Sequence, residues 1–407
     1  MTRSTAAREQ TINFGAGPST LPTPVLLEAA QGLLDYDGLG MGLTELSHRS
    51  QNFQKLLQEA ENDLRKLLDV PEEYAVLFLQ GGGTEQFSAT VLNMLAAHAA
   101  RNPSYQGTPP VDYVVTGAWS NKACKEAQRL TPRVNVVADL RTSITDKDTP
   151  ITPPEEWSLS PVEEAPAMLH YCDNETIGGF EFPSDFIKRL PKAYRDRVPI
   201  VADCSSNILS RPIDVRAHGA IFFGVQKNIG PSGLAVVIVR RDLVVDPDAV
   251  RASYTPVIPT SLVYKNAMDN GSLYNTPPMF PIYISALVFR DLLKEGGVDG
   301  AQERAAKRSK LVYDALLAEP KLFRLVVQHE EFRSQMNVTF RILDPASQEP
   351  SPDLEAKFAK FCGEQQILNV KGHRSVGGLR VSLYNAITVA QAETFVRVVA
   401  QFAKQNL

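Results

Sequence analysis

Cysteine is scarce in this chain. Only Cys124, Cys172, Cys204 and Cys362 occur in 407 residues, widely spaced and without a CxxC pair. A disulfide framework is therefore not expected, and four free thiols in a reducing compartment are. Cys172 and Cys204 lie in apolar runs, where cysteine acts as a small hydrophobe. Long apolar stretches are missing too, and none approaches the length of a membrane-crossing helix. Charge of one sign is not in excess. Lys and Arg total 42 against 46 Asp and Glu, a net charge of -4, which gives no general footprint for nucleic acid or an anionic membrane. A locally basic site stays open. Met1 to Gln10 carries Arg3 and Arg8 but no apolar segment, so it does not read as a secretory signal. It is short for a transit peptide and contains Glu9, leaving the cytoplasm as the expected compartment. No internal repeat and no metal-ligand spacing stands out.

What is present is a globular composition, 43% hydrophobic and 22% charged, long enough to bury a sizeable core without staples. Short apolar runs alternate with helical patterns. Strands are expected at Ala75–Leu79, Val111–Val115, Val134–Ala138, Met168–Cys172, Val198–Ala202, Ala220–Gly224 and Leu234–Val239. Most are continuous apolar runs, which suits a largely parallel sheet buried on both faces by helices. An amphipathic helix is expected from about Thr84 to Ala97. Beyond about Pro281 the pattern changes. Helices are expected at Ile282–Lys294, Gly300–Leu317 and Asp353–Gln366, and strands at Phe323–Gln328, Met336–Leu343 and Leu379–Leu383. A final helix opens at Thr388 with the capping-box spacing Thr388-x-x-Gln391. Asn102–Pro110 and Pro345–Pro352 read as surface loops. The expected fold class is α/β with a smaller α+β part behind it. Residues 20–285 form the large part; 286–407 form the small one, with 1–19 packing nearby.

Three segments carry chemistry. Gln80-Gly81-Gly82-Gly83-Thr84-Glu85-Gln86-Phe87 follows a strand and opens a helix. Free amides at a helix N-terminus make an anion site, and glycines let a ligand approach the backbone. Alone, the segment fits equally a glycine turn that serves only tight packing. It is not a P-loop, since no GK[ST] follows. In Ile200-Val201-Ala202-Asp203, an acid ends an apolar strand, where α/β sheets place ligands; an isolated Asp there is more often a helix cap. Lys227 stands just past another buried strand, within Gln226-Lys227-Asn228-Ile229-Gly230-Pro231-Ser232-Gly233. A lone loop lysine is usually an exposed one. Together, Asp203 and Lys227 offer a carboxylate and an amine at successive strand ends. Pyridoxal 5'-phosphate (PLP) needs both, an acid against its ring nitrogen and a lysine for its aldehyde.

At this point the chain resembles the phosphoserine aminotransferases, class V members of the fold-type I PLP enzymes. The likeness runs almost end to end and rests on HYCDNETIGG, SRPID, QKNIGPSGL, NGSLYNTPP and KGHRSVGGLR. It implies a large PLP-binding domain and a smaller C-terminal one. It also implies transamination between L-glutamate and 3-phosphohydroxypyruvate, giving O-phospho-L-serine and 2-oxoglutarate, in serine biosynthesis. By the same resemblance Lys227 is the Schiff-base lysine and Asp203 pairs with the ring nitrogen. Trp119 stacks on the ring and Thr176 bonds near its hydroxyl. Gly83, Thr84 and Gln226 hold the phosphate. Asn275 and Thr276 reach the same phosphate from a neighbouring subunit, which implies a homodimer with shared sites.

Both implied substrates are multiply anionic, and arginine forks match carboxylate and phosphate oxygens. His48-Arg49 and His373-Arg374 are two such cationic pairs in a chain with six histidines. By analogy Arg380 takes the α-carboxylate. The two pairs take the distal phosphate or glutamate's side-chain carboxylate, with His48 and Arg49 contributed by the other subunit. The chain departs from many bacterial members, which read GGGRGQF where this one has GGGTEQF. A lyase of the cysteine desulfurase kind would need a mobile catalytic cysteine. Cys362 is the one candidate, and it falls on the apolar face of an expected helix beside Phe358.

Overall fold

The structure, a computed structural model, describes residues 2–407. Seven strands form the main sheet: β1 (Tyr74–Gln80), β2 (Val111–Val115), β3 (Val134–Asp139), β4 (Met168–Cys172), β5 (Ile200–Asp203), β6 (Ala220–Gly224) and β7 (Leu234–Arg240). Their spatial order is β1-β7-β6-β5-β4-β2-β3. Only β7 runs against its two neighbours; the other pairings are parallel.

The expected strand at Val198–Ala202 is corrected: β5 begins at Ile200, after Pro199, and its last residue is Asp203. Proline has no amide to give to a ladder, so the strand starts beyond it.

Helices α1 (Thr23–Leu34), α2 (Gln51–Leu68), α3 (Gly83–Arg101), α4 (Ala118–Leu130) and α5 (Met279–Lys294) pack around this sheet, and α6 (Gly297–Leu317) leads on to the second core with Val312 and Leu316. α1 and α2 are additions to the expected elements. α2 is amphipathic, buries Phe53, Leu56, Leu57, Ala60 and Leu64, and is capped by the Ser50 hydroxyl, which accepts from the Phe53 amide. Each strand sends alternate residues to opposite cores. Val76 and Phe78 join α2 and α5 on one side, while Ala75 and Leu77 join Phe87, Val91 and Leu95 of α3 on the other. Burial on both faces accounts for the unbroken apolar runs.

A second, three-stranded sheet follows, made of β8 (Phe323–Leu325), β9 (Asn337–Ile342) and β10 (Leu379–Ser382), with α7 (Pro352–Glu364) and α8 (Val389–Asn406). β8 stops three residues short of the expected Gln328. Its pairing with β9 ends at Leu325, and the Gln328 amide turns away to the Ile144 carbonyl. Pro352 opens α7 instead of closing a loop, with Ser351 as its cap. The capping box of α8 is formed, Thr388 with Gln391. Phe340, Phe358, Phe395 and Phe402 centre this part's own core. Ile12–Asn13 pairs in parallel with Ile367–Leu368, and Ile12 and Phe14 enter that core. The expected join at 285/286 lies inside α5, an unbroken helix whose apolar residues share the core of α2. Among the described residues, no helix is long and apolar enough to cross a membrane.

Candidate active site

Parallel strands deliver their chemistry at their carboxyl ends. Asp203 closes β5, and Lys227 stands three residues past the end of β6. Thr176 follows β4, Trp119 lies in the first turn of α4 after β2, and Gly83 begins α3 after β1.

Lys227 is only 8% exposed. Its Nζ donates to Thr176 Oγ1 at 2.7 Å and lies 5.4 Å from the centre of the Trp119 ring. Burial lowers its pKa, while the nearby Asp203 charge works in the opposite direction. Asp203 is equally buried. Desolvation raises its pKa, whereas Lys227 and two hydrogen bonds from Ser205 favour the ionised form. Those bonds come from the Ser205 amide at 2.9 Å and hydroxyl at 2.6 Å, both to Oδ1.

Lys227 is held from the other side by the N-terminal segment. The Ser19 hydroxyl donates to the Lys227 carbonyl, and the Ser19 amide to the Gln226 carbonyl at 3.0 Å.

Gln226, Ser205 and Gly83 meet at the first turn of α3. A side chain on Gly224 would lie 2.5 Å from Gln226 Oε1 and 3.2 Å from the Gly83 amide, so it would push the Gln226 carboxamide out of this place. The Glu85 carboxylate folds back over Gly81. Thr84 is exposed in the same turn.

Trp119 is partly exposed, with its indole Nε1 buried and unpartnered. The sequence reading missed what positions it. Glu175 accepts from the Trp119 amide at 3.1 Å, the Ser120 amide at 2.8 Å and the Ser120 hydroxyl at 2.6 Å. This buried carboxylate caps α4, and its pKa is raised by desolvation. Ser205 was missed as well, although it lies within the DCSS run. Behind them, Arg211 of the SRPID string forms a buried cluster with Asp173 at 2.8 Å and Glu181 at 3.2 Å.

Arg380 lines a cleft of about 1010 Å³ between the two sheets, and its Nη1 donates to the Thr176 carbonyl at 3.0 Å. His373 lies close enough for Arg380, Lys122 and Arg374 to help keep its pKa low, after desolvation. Lys122, another residue the sequence reading missed, sits 4.2 Å over the Trp119 ring. Arg374 is exposed on the same turn as His373.

Four expected site residues are not brought to Lys227. His48, Arg49, Asn275 and Thr276 make a separate surface patch, where His48 Nδ1 is 3.3 Å from Thr276 Oγ1. Cys362 is fully buried in α7, with its thiol pushed up to about 12 by desolvation, as a core residue should be. All four cysteines are buried free thiols.

The Aminotransferase class-V family matches residues 11–395. The chain belongs to the phosphoserine aminotransferase branch of that family. Phosphoserine aminotransferase of Drosophila melanogaster is 41% identical to it over 395 residues, covering 97% of this chain and 99% of that protein. Among solved structures, phosphoserine aminotransferase from Bacillus circulans subsp. alkalophilus matches with a TM-score of 0.85 at 37% identity, covering 98% of this chain and 99% of that one. The PLP-bound enzyme from Trichomonas vaginalis gives a TM-score of 0.83 at 35% identity, covering 96% and 99%.

The chain is thus a PLP-dependent transaminase, and its site fits that cofactor. A desolvated amine, a buried carboxylate, a partly exposed indole facing the amine and a glycine-walled anion cradle converge on one place.

Proposed function

We propose that this chain transfers the amino group of L-glutamate to 3-phosphohydroxypyruvate, giving O-phospho-L-serine and 2-oxoglutarate by a ping-pong route. The observation that carries the reading is Lys227, buried beside Asp203 and bonded to Thr176, whose carbonyl in turn accepts from the cleft-lining Arg380.

PLP, when bound, supplies an aldehyde for the lysine and a protonated ring that accepts electrons. Lys227 Nζ is the group that takes and returns a proton. Its lowered pKa brings the neutral amine nearer to working pH. Thr176 Oγ1 fixes the direction in which Nζ points. Asp203, steadied by Ser205, would supply negative charge for the ring nitrogen. Gly83, Thr84 and Gln226 would hold the phosphate group, with Ser205 alongside. Trp119 would shield the ring from water.

Arg380 takes the α-carboxylate of either substrate, a fork that suits two oxygens at once. His373 and Arg374 take the distal phosphate or the glutamate side-chain carboxylate. His48 and Arg49 assist them from a second copy of the chain, and Asn275 and Thr276 reach across to that copy's cofactor phosphate. A homodimer is supported by large apolar side chains left exposed on and just after α1, where Leu27, Leu34 and Met41 are 50%, 74% and 43% exposed. Four free thiols suit a reducing compartment, and we place the enzyme in the cytoplasm.

The test is a pair of half-reactions. Glutamate should convert the PLP form to the aminated form, and 3-phosphohydroxypyruvate should convert it back far faster than hydroxypyruvate does. Equal rates for the two keto acids would sink the assignment.

A further inference from the structure

Arg308 is a large buried charge that the chemistry above leaves unused. It lies on α6, is 1% exposed, and lines a second cleft of about 820 Å³ between the N-terminal segment, α5, α6 and the turn before α8. A guanidinium carries five N–H donors. Here Nη2 donates to the Leu383 carbonyl at 3.3 Å, and Nε has no partner. Buried arginines are ordinarily met by carboxylates, as Arg211 is by Asp173 and Glu181. Among the described residues, none pairs with Arg308. Glu295 is engaged by Arg304, and Arg304 adds a second positive charge close by. Desolvation and that neighbour lower the Arg308 pKa to about 10.

Asn385 lines the same cleft. Asn385 Oδ1 is buried without a partner, whereas its Nδ2 donates to the Leu209 carbonyl at 2.8 Å. The Asn385 amide donates to Asn228 Oδ1 at 2.9 Å, so the cleft wall is joined to the residue that follows Lys227.

We propose that this cleft is a second ligand site, taking a small carboxylate that also carries a hydroxyl or amino hydrogen. Its carboxylate sits on Arg308, and the spare hydrogen meets Asn385 Oδ1. Neither group is part of the catalytic set, and this cleft shares no lining residue with the one that holds Arg380.

The probe is glycolate, titrated against the PLP-loaded enzyme by thermal shift, with sodium chloride at matched ionic strength as control. Glycolate should give a saturable rise in melting temperature that chloride does not. Arg308→Met should weaken glycolate about tenfold or more while leaving turnover intact. An equal response in the Met variant would assign the binding to Arg380 and overturn the proposal, as would an equal response to chloride. Crystals of the unmutated enzyme soaked in glycolate give a check free of folding effects. Density for a carboxylate on Arg308 supports the site, and water alone overturns it.

Discussion

Lys227 Nζ donates a 2.7 Å hydrogen bond to Thr176 Oγ1, and the carbonyl of the same threonine accepts from Arg380. One residue therefore touches the proton-moving amine through its side chain and the substrate-binding arginine through its backbone. Thr176→Val removes the first contact and keeps the second. It should lower kcat roughly tenfold, in line with the loss of one hydrogen bond of about 1–1.5 kcal/mol, with a smaller change in KM. Steady-state kinetics on both substrates would settle it; a change confined to KM would contradict the assignment.

Lys227→Ala should stop turnover and abolish the near-visible absorbance of the lysine-bound cofactor. Persistence of both in the purified variant would remove Lys227 from its role.

Asp203→Asn keeps the shape and deletes the charge. Asp203 now raises the Lys227 pKa against the effect of burial, so its loss lets that pKa fall further. The lysine should then titrate at lower pH than in the parent, measured as cofactor absorbance against pH, and kcat should drop roughly 10²–10³-fold. An unmoved titration would mean the two groups are uncoupled.

Arg380→Gln removes a half-buried cation from the cleft. A charge-assisted hydrogen bond contributes about 1.5–3 kcal/mol, so KM for glutamate should rise on the order of 10–100-fold. Cofactor absorbance should be unchanged. A normal KM would place the α-carboxylate elsewhere.

His170 bears on stability alone. It is fully buried, has no hydrogen-bond partner on either ring nitrogen, and its pKa is lowered by desolvation from 6.5 to about 3. The unfolded chain binds this proton more readily than the folded one. Stability from this group is therefore complete above 6.5 and declines as pH falls from there towards 3. Between pH 7 and pH 5 the wild type should lose about 2 kcal/mol more than His170→Phe, whose ring can occupy the same stack on Tyr113. Urea unfolding at the two pH values reads the difference, and parallel losses would refute it.

Much of this architecture was legible because burial on both faces writes itself into sequence as unbroken apolar runs. Val111–Val115, Met168–Cys172 and Ala220–Gly224 fall where that pattern puts them. Asp203 and Lys227 could be paired before any coordinates, since both stand at strand ends and together carry one chemistry. Glu175 was hidden for the opposite reason. Its partners lie 55 and 56 residues away, and no local periodicity marks a carboxylate that reaches a distant helix start. The link between His48 and Thr276 spans 228 residues and exists only through the fold. α1 was obscure because it buries only Val25, Ala29 and Gly32 and leaves Leu27 and Leu34 outside, which blurs its apolar stripe.

Gly117 and Glu175 have a history written into their contact. A side chain on Gly117 would run into the Glu175 carboxyl carbon at 2.5 Å, in the space from which that carboxylate caps α4. A larger residue at 117 would displace the cap and tilt Trp119, and a shorter one at 175 would leave the glycine's room empty and the helix start bare. Neither position can drift alone. Descendants of this chain should inherit the two as a couple, and a lineage that trades one should be found to have traded the other.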